Sequence, residues 1–217
     1  MADLPHGKEG TDDLWDAMYT QRAIRYWQDK PVPRELVEKV IEAASKAPSG
    51  SNLQPWVFMV IDDAETRGKL GDALNAIYEG GPLKEMIAQG QQVEDKGQRL
   101  MMQGAQSFFS KLAKAPVIIV PCLYELASPT PDPTSLEAGS SIYMAVQNLM
   151  LSARALGLGT VMTTAHSLID GPLREATGIP SNAHPVALIP LGYPDANFGP
   201  TKRKGLDEIL CWNEWSQ

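Results

Sequence analysis

Helix-period stripes and short, evenly apolar runs follow one another along the chain and predict most of its elements. Residues 12–21 read as a short helix, acidic in its first turn, with Leu14, Ala17 and Met18 on one face. Beyond the loop Lys30-Pro31-Val32-Pro33, the residues Leu36, Val37, Val40, Ile41 and Ala44 form a helical stripe that Pro48 stops. Residues 56–61 are aromatic and β-branched, which predicts a strand, and Asp63 is placed to cap a helix over 64–78. Residues 116–124 (PVIIVPCLY) and 185–193 (PVALIPLGY) read as strands buried within a sheet. Residues 127–134 form a Pro-rich loop, and residues 136–156 carry the longest helical signal. Ile142, Met144, Val146, Leu149, Met150, Leu151 and Leu156 cover nearly the whole circumference of that helix, which belongs in the core or in a subunit interface. Gly157-Leu158-Gly159 ends it, residues 160–164 read as a short strand, and a helix from Asp170 closes at Gly178.

Two stretches lack a clear period. Residues 80–106 are rich in glutamine and glycine with scattered charges, and read as a mobile cover or insertion. The tail carries Lys202, Arg203 and Lys204 together, then Trp212 and Trp215. Helices and strands do not alternate regularly, so one layered α+β domain over residues 1–217 is favoured over a doubly wound sheet.

Composition narrows the partners. Nineteen Lys and Arg against twenty-six Asp and Glu give a net charge of −7, which argues against a nucleic-acid-binding protein. Cys122 and Cys211 lie far apart with no CxxC pair, as free thiols of a reducing compartment do. The N-terminus has no secretory pattern, and the longest apolar run is too short to span a bilayer. A cytoplasmic protein with no membrane partner is expected.

The usual catalytic patterns are missing: no GxSxG, no HExxH, no Walker loop and no GxGxxG after a strand. His6, His166 and His184 are too scattered to suggest a metal site. Four segments remain. In Gln21-Arg22-Ala23-Ile24-Arg25, two guanidinium groups can converge on a phosphate, although alone they read as surface arginines. Ala47 to Trp56 (APSGSNLQPW) offers small hydroxyl, amide and main-chain donors between prolines, suited to the edge of a planar heterocycle or to a plain turn. Gly157 to Thr164 (GLGTVMTT) can present donors to a ring nitrogen, or be a helix end and strand. Lys202-Arg203-Lys204 is either a solvated loop or part of an anion site.

The order and spacing of these segments carry more than any one of them. With PVP plus a helix, APSxxNxQPW, the long helix ending in GLG, Thr-Thr, LxxxxGIP, a strand ending in LGYP and the terminal basic cluster, the sequence resembles the FMN-dependent nitroreductase family. The resemblance covers nearly the whole chain outside 80–106, and LIPLGYP with KRKGLDEI also resembles the iodotyrosine deiodinase branch of that superfamily.

The resemblance implies an α+β sandwich, with a central, mostly antiparallel sheet flanked by helices, in an intertwined homodimer with FMN at each subunit interface. Arg22, Arg25 and Arg203 would hold the FMN phosphate, with Gln21 and Ala23 beside it. Ser49, Gly50 and Asn52 would line the ribityl chain and ring edge, Ser51 would face the substrate, and Met162, Thr163 and Thr164 would stand near the flavin ring. Gln21 and Ala23 depart from the family, which often has Arg and Ser there, so a charge and a hydroxyl are missing. No catalytic residue and no metal is implied, because flavin N5 carries the hydride. NAD(P)H would reduce the flavin, then a small nitroaromatic or quinone would oxidise it, in ping-pong order. Residues 205–217 would embrace the partner and 80–106 would act as a lid. The alternatives are a reductive dehalogenase, for which Tyr78, Glu79 and Lys84 lie in the right region without matching spacing, and a flavin-binding module without turnover.

Overall fold

Side-chain caps fix where most helices begin. In this computed structural model, which describes residues 7–127 and 131–216, Asp13 accepts the Asp16 amide and opens α1 (Leu14–Thr20). His6, the centre of the Pro-rich loop and Gln217 of the tail lie outside the described residues. α2 (Arg34–Ser45) follows Pro33, and Asp63 caps α3 (Ala64–Gly80) through the Thr66 amide, as its sequence predicts. α4 (Leu83–Gly90) follows Pro82, and Asp95 caps α5 (Lys96–Lys111) through the Gln98 amide. Ser135 caps α6 (Leu136–Ala155) through the Ala138 amide. α7 (Asp170–Thr177) stops where Gly178 turns left-handed. Each such cap is worth about 1 kcal/mol.

The strands are β1 (Trp56–Ile61), β2 (Val117–Leu123), β3 (Gly159–Thr160), β4 (His184–Pro185) and β5 (Ile189–Gly192). They form one antiparallel sheet in the order β1-β2-β5-β3, with β4 also on β2. All seven residues of β2 are buried. Ile118, Val120 and Cys122 pack with Leu70 and Leu74 of α3, Phe108 of α5 and Leu173 of α7. Val117 and Ile119 point the other way, among Val37 and Val40 of α2 and Val146 and Leu149 of α6. Helices therefore cover both faces, and each buried Val, Leu or Ile side chain contributes roughly 1.5–3 kcal/mol.

Three expectations change. The run 185–193 is two strands, because Cys122 faces Pro185 whereas Ile119 faces Ile189, a one-residue slip that makes a β-bulge. There Leu188 turns away to exchange both main-chain hydrogen bonds with Thr163. For the same reason residues 160–164 are strand only at their start. Residues 80–106, which show no clear period in the sequence, form α4 and most of α5; two of the three buried positions of α5 are Gly104 and Ser107, beside Phe108, and their small side chains obscure the period.

α6 is central, but this chain covers only one side of it. Ile142, Ala145, Leu149 and Ala153 are buried, whereas Leu136, Tyr143 and Met144 are exposed. In the tail, Leu206, Ile209, Trp212 and Trp215 are exposed as well.

Candidate functional site

Two distant segments of chain frame a large cavity. Residues 19–28 and 193–201 run antiparallel: the Thr201 amide donates to Tyr19 O at 3.1 Å, Asp195 to Tyr26 O at 2.8 Å and Gln28 to Tyr193 O at 2.9 Å. Among the described residues no main-chain bond joins 20–25 to 196–200, and there the segments part around a cavity of about 770 Å³. Ile24 anchors the first segment, buried, with its amide donating to Thr160 O of β3 at 2.9 Å. Gln21, Arg22, Ala23, Arg25, Lys202 and Arg203 all line the opening. The two cationic segments of the sequence, from opposite ends of the chain, thus line one opening.

α5 supplies the third wall through Gly97, Leu100, Met101, Gln103 and Gly104. A Cβ at Gly104 would lie 3.0 Å from Arg25 Cδ and 3.2 Å from Arg25 Nη1, so only glycine lets the helix come this close without displacing the guanidinium. Gln21 turns its amide toward α6, donating to Met150 Sδ at 3.8 Å.

The electrostatics suit an anion. Burial pulls the Arg25 guanidinium below its ordinary value; Tyr26 opposes that shift and Arg22 adds to it. Among the described residues, none of Arg22, Arg25, Lys202 and Arg203 stands in an ion pair. Four cations converge without a carboxylate in a chain whose net charge is −7. A phosphate there would relieve the like-charge repulsion and accept several charge-assisted hydrogen bonds.

The second group lies apart from the cationic opening. Ser49, Gly50, Ser51 and Asn52 form a tight turn against the start of α6, with the Gly50 amide donating to Ser141 Oγ at 3.2 Å and the Gln54 amide to Ser49 Oγ at 2.9 Å. Ser51, Asn52 and Gln54 have φ of 51°, 54° and 50°, a run of left-handed non-glycine residues. Such backbone is costly and concentrates at functional sites. Gly50 and Leu53 face Leu136 and Ser140 across a cavity of about 320 Å³.

Thr164 and His166 line a cavity of about 430 Å³ on the other side of the same turn of α6, which Leu136 and Ser140 also border. Thr163 is held by its pairing with Leu188, and Met162 beside it is exposed. Since Ala23 bridges to Thr160, residues 160–164 run from the cationic opening to this α6 cavity. Within one chain, then, the segment carrying Met162, Thr163 and Thr164 adjoins the arginines, while Ser49 to Asn52 share no cavity with them.

The three residues considered for a dehalogenase lid are engaged elsewhere. Tyr78 is buried and stacks on Phe109, and Lys84 pairs with Glu79 at 2.6 Å. Among the described residues no group of three His, Cys, Asp or Glu side chains could hold a metal ion, and no helix is long and apolar enough to cross a membrane.

Sequence reasoning missed the α5 wall and His166. A signal existed for the former: Gly97 and Gly104 stand two turns apart on one helix face, and at Gly104 the helix approaches Arg25 closely. His166, half-buried beside Thr164, had none beyond its place two residues on.

The model of the Nitroreductase family matches residues 19–193. A Methanothermobacter thermautotrophicus protein carried under the provisional name NADH dehydrogenase/NAD(P)H nitroreductase is 31% identical over 200 residues, spanning 89% of this chain and 83% of its own. Iodotyrosine deiodinase 1 of Mus musculus is 30% identical over 205 residues, spanning 92% of this chain and 69% of its own. Among solved structures, an FMN- and NADPH-dependent nitroreductase from sphigopyxis sp. strain HMH superposes with a TM-score of 0.71, covering 94% of this chain and 100% of that one. Its identity of 22% makes that a likeness of fold.

Proposed function

The chain belongs to the nitroreductase family, and from that premise we propose that it is an FMN-dependent oxidoreductase that uses NAD(P)H to reduce nitroaromatic, quinone or similar electron-poor aromatic substrates. The observation that carries the reading is the convergence of Arg22, Arg25, Lys202 and Arg203, unpaired, on one opening. Arg22, Arg25 and Arg203 hold the FMN phosphate, and Lys202 takes over part of the charge that Gln21 does not supply. Each charge-assisted bond is worth about 1.5–3 kcal/mol.

When bound, FMN supplies the hydride acceptor and donor, so no protein acid or base is required. Thr163 and Thr164, on the segment leading away from the arginines, provide donors at the ring, with Met162 beside them. Ser49, Gly50 and Asn52 line the ribityl chain and ring edge from the second subunit of a homodimer, and Ser51 faces the substrate. Their separation from the arginines within one chain supports that division. The uncovered face of α6, with Leu136, Tyr143 and Met144, and the exposed Ile209, Trp212 and Trp215 of the tail are surfaces that a partner subunit would cover. α4 and the first turns of α5 act as the lid.

The visible spectrum of the purified protein tests the cofactor: flavin bands are expected. Anaerobic NADPH should bleach them, and a nitroaromatic should restore them. A flavin that stays oxidised under both NADPH and NADH refutes the enzyme and leaves a binding module. Deiodination is the lesser reading, since Tyr78 is buried against Phe109 and Glu79 and Lys84 pair with each other; a product assay with 3-iodotyrosine distinguishes it.

A further inference from the structure

Arg154, in the last turn of α6, is 2% exposed and among the described residues has no ion-pair partner. Its Nε donates to Thr20 Oγ1 at 2.8 Å, its Nη1 donates to the Glu9 main-chain oxygen at 2.6 Å, and its Cζ lies 4.2 Å from the centroid of the Phe198 ring. A buried guanidinium that makes no ion pair, with only the Asp16 charge near enough to favour it, is a costly way to fill space at a helix end, where an apolar side chain would serve. Its three contacts suggest what it is for.

Thr20, fully buried, immediately precedes the wall formed by Gln21, Arg22 and Arg25. Phe198, also buried, lies in the opposite wall, between Asn197 and Pro200. Here the two walls share no main-chain bond. Arg154 does not line the cavity; it spans the gap from its buried side, bonded to one wall and stacked on the other. The Thr20 hydroxyl passes the connection on by donating to the Asp16 carbonyl, and the Phe198 amide donates to Gly7 O at 2.7 Å. The end of α1, the N-terminal segment and the 196–203 segment therefore gather around one guanidinium.

We propose that Arg154 is a positioning residue for the anion site, setting the spacing between the wall that carries Arg22 and Arg25 and the wall that carries Lys202 and Arg203. The role rests on the reading that the opening takes the FMN phosphate. Its planar shape is essential: a flat guanidinium stacks on Phe198 and still reaches two acceptors at its edge. A lysine cannot do both.

The test compares binding of FMN and riboflavin to the full-length, flavin-free protein by flavin fluorescence, because only FMN carries the phosphate. Wild type should prefer FMN. Arg154→Met should lower FMN affinity about tenfold, or about 1.4 kcal/mol, with riboflavin changed less than twofold. Arg154→Lys should resemble Arg154→Met, and Thr20→Val, which removes only the hydroxyl, should shift the ratio in the same direction by a smaller factor. If Arg154→Met does not fold by circular dichroism, Thr20→Val and Phe198→Leu decide. Folded variants that keep the wild-type ratio, or lose both flavins equally, overturn the proposal. A wild type that binds both flavins alike instead refutes the phosphate reading, and the role of Arg154 falls with it.

Discussion

Replacing Ser51 with glycine tests whether the turn at 49–54 is held under strain. Ser51 has φ of 51°, and an L-residue in that region costs about 1–2 kcal/mol. Its side chain is exposed and among the described residues makes no hydrogen bond, so the substitution deletes no contact. Glycine removes that strain from the folded state but adds roughly 0.5–1 kcal/mol of entropy to the unfolded chain. At the midpoints of these ranges the difference is about 0.75 kcal/mol in favour of the variant, which in a chain of this size raises Tm by roughly 1.5–3 °C. Ser51→Val places a β-branched residue at the same φ and should lower Tm by more than that. Thermal unfolding by circular dichroism reads both. A drop in Tm for Ser51→Gly, with Ser51→Val unchanged, would refute the strain argument. If the strained geometry also presents the turn to the cofactor, the glycine variant should gain stability while losing nitroaromatic turnover.

Burial holds the His166 imidazole below its ordinary 6.5, against Asp170 and the Thr163 main chain, which raise it. As pH falls the unfolded chain takes up that proton first, so the stability from this site is full above about 6.5 and is lost as pH falls through the folded-state pKa. His166→Gln should flatten the acid limb of a Tm-against-pH curve and leave the alkaline limb unchanged. Burial pushes the Cys122 thiol up to about 11, with Arg174 opposing, so iodoacetamide at neutral pH should reach Cys122 only after unfolding, as mass spectrometry will show. Deletion of the residues after Gly205 should convert a dimer to a monomer by light scattering; an unchanged dimer counts against the embracing tail.

What could be read from the sequence was local, or carried by a long motif. Asp63 and Gly178 mark their helix ends because capping depends on a few neighbouring residues. The burial of β2 on both faces showed as an unbroken apolar run. The bulge between β4 and β5 did not, since Leu188 pairs with Thr163 through a contact no local window contains. The meeting of Arg22 and Arg25 with Arg203 was visible only through the family resemblance; spacing alone left them as surface charges. The α5 wall escaped because its point of closest approach to Arg25 is Gly104, which carries no hydrophobic signal.

The pairing of residues 19–28 with 193–201 also bears on how the protein comes into being. Tyr19 and Thr201 are 182 positions apart, so the opening cannot close until nearly the whole chain has left the ribosome. Contacts of such sequence separation form late, after the loop-closure entropy of the intervening chain has been met. Before that, Arg22 and Arg25 have no opposite wall, and a nascent chain has only half of its anion site. Capture of a phosphate-bearing ligand there would act as a clasp on the two segments, so that ligand-bound protein is protein in which these distant walls have already met.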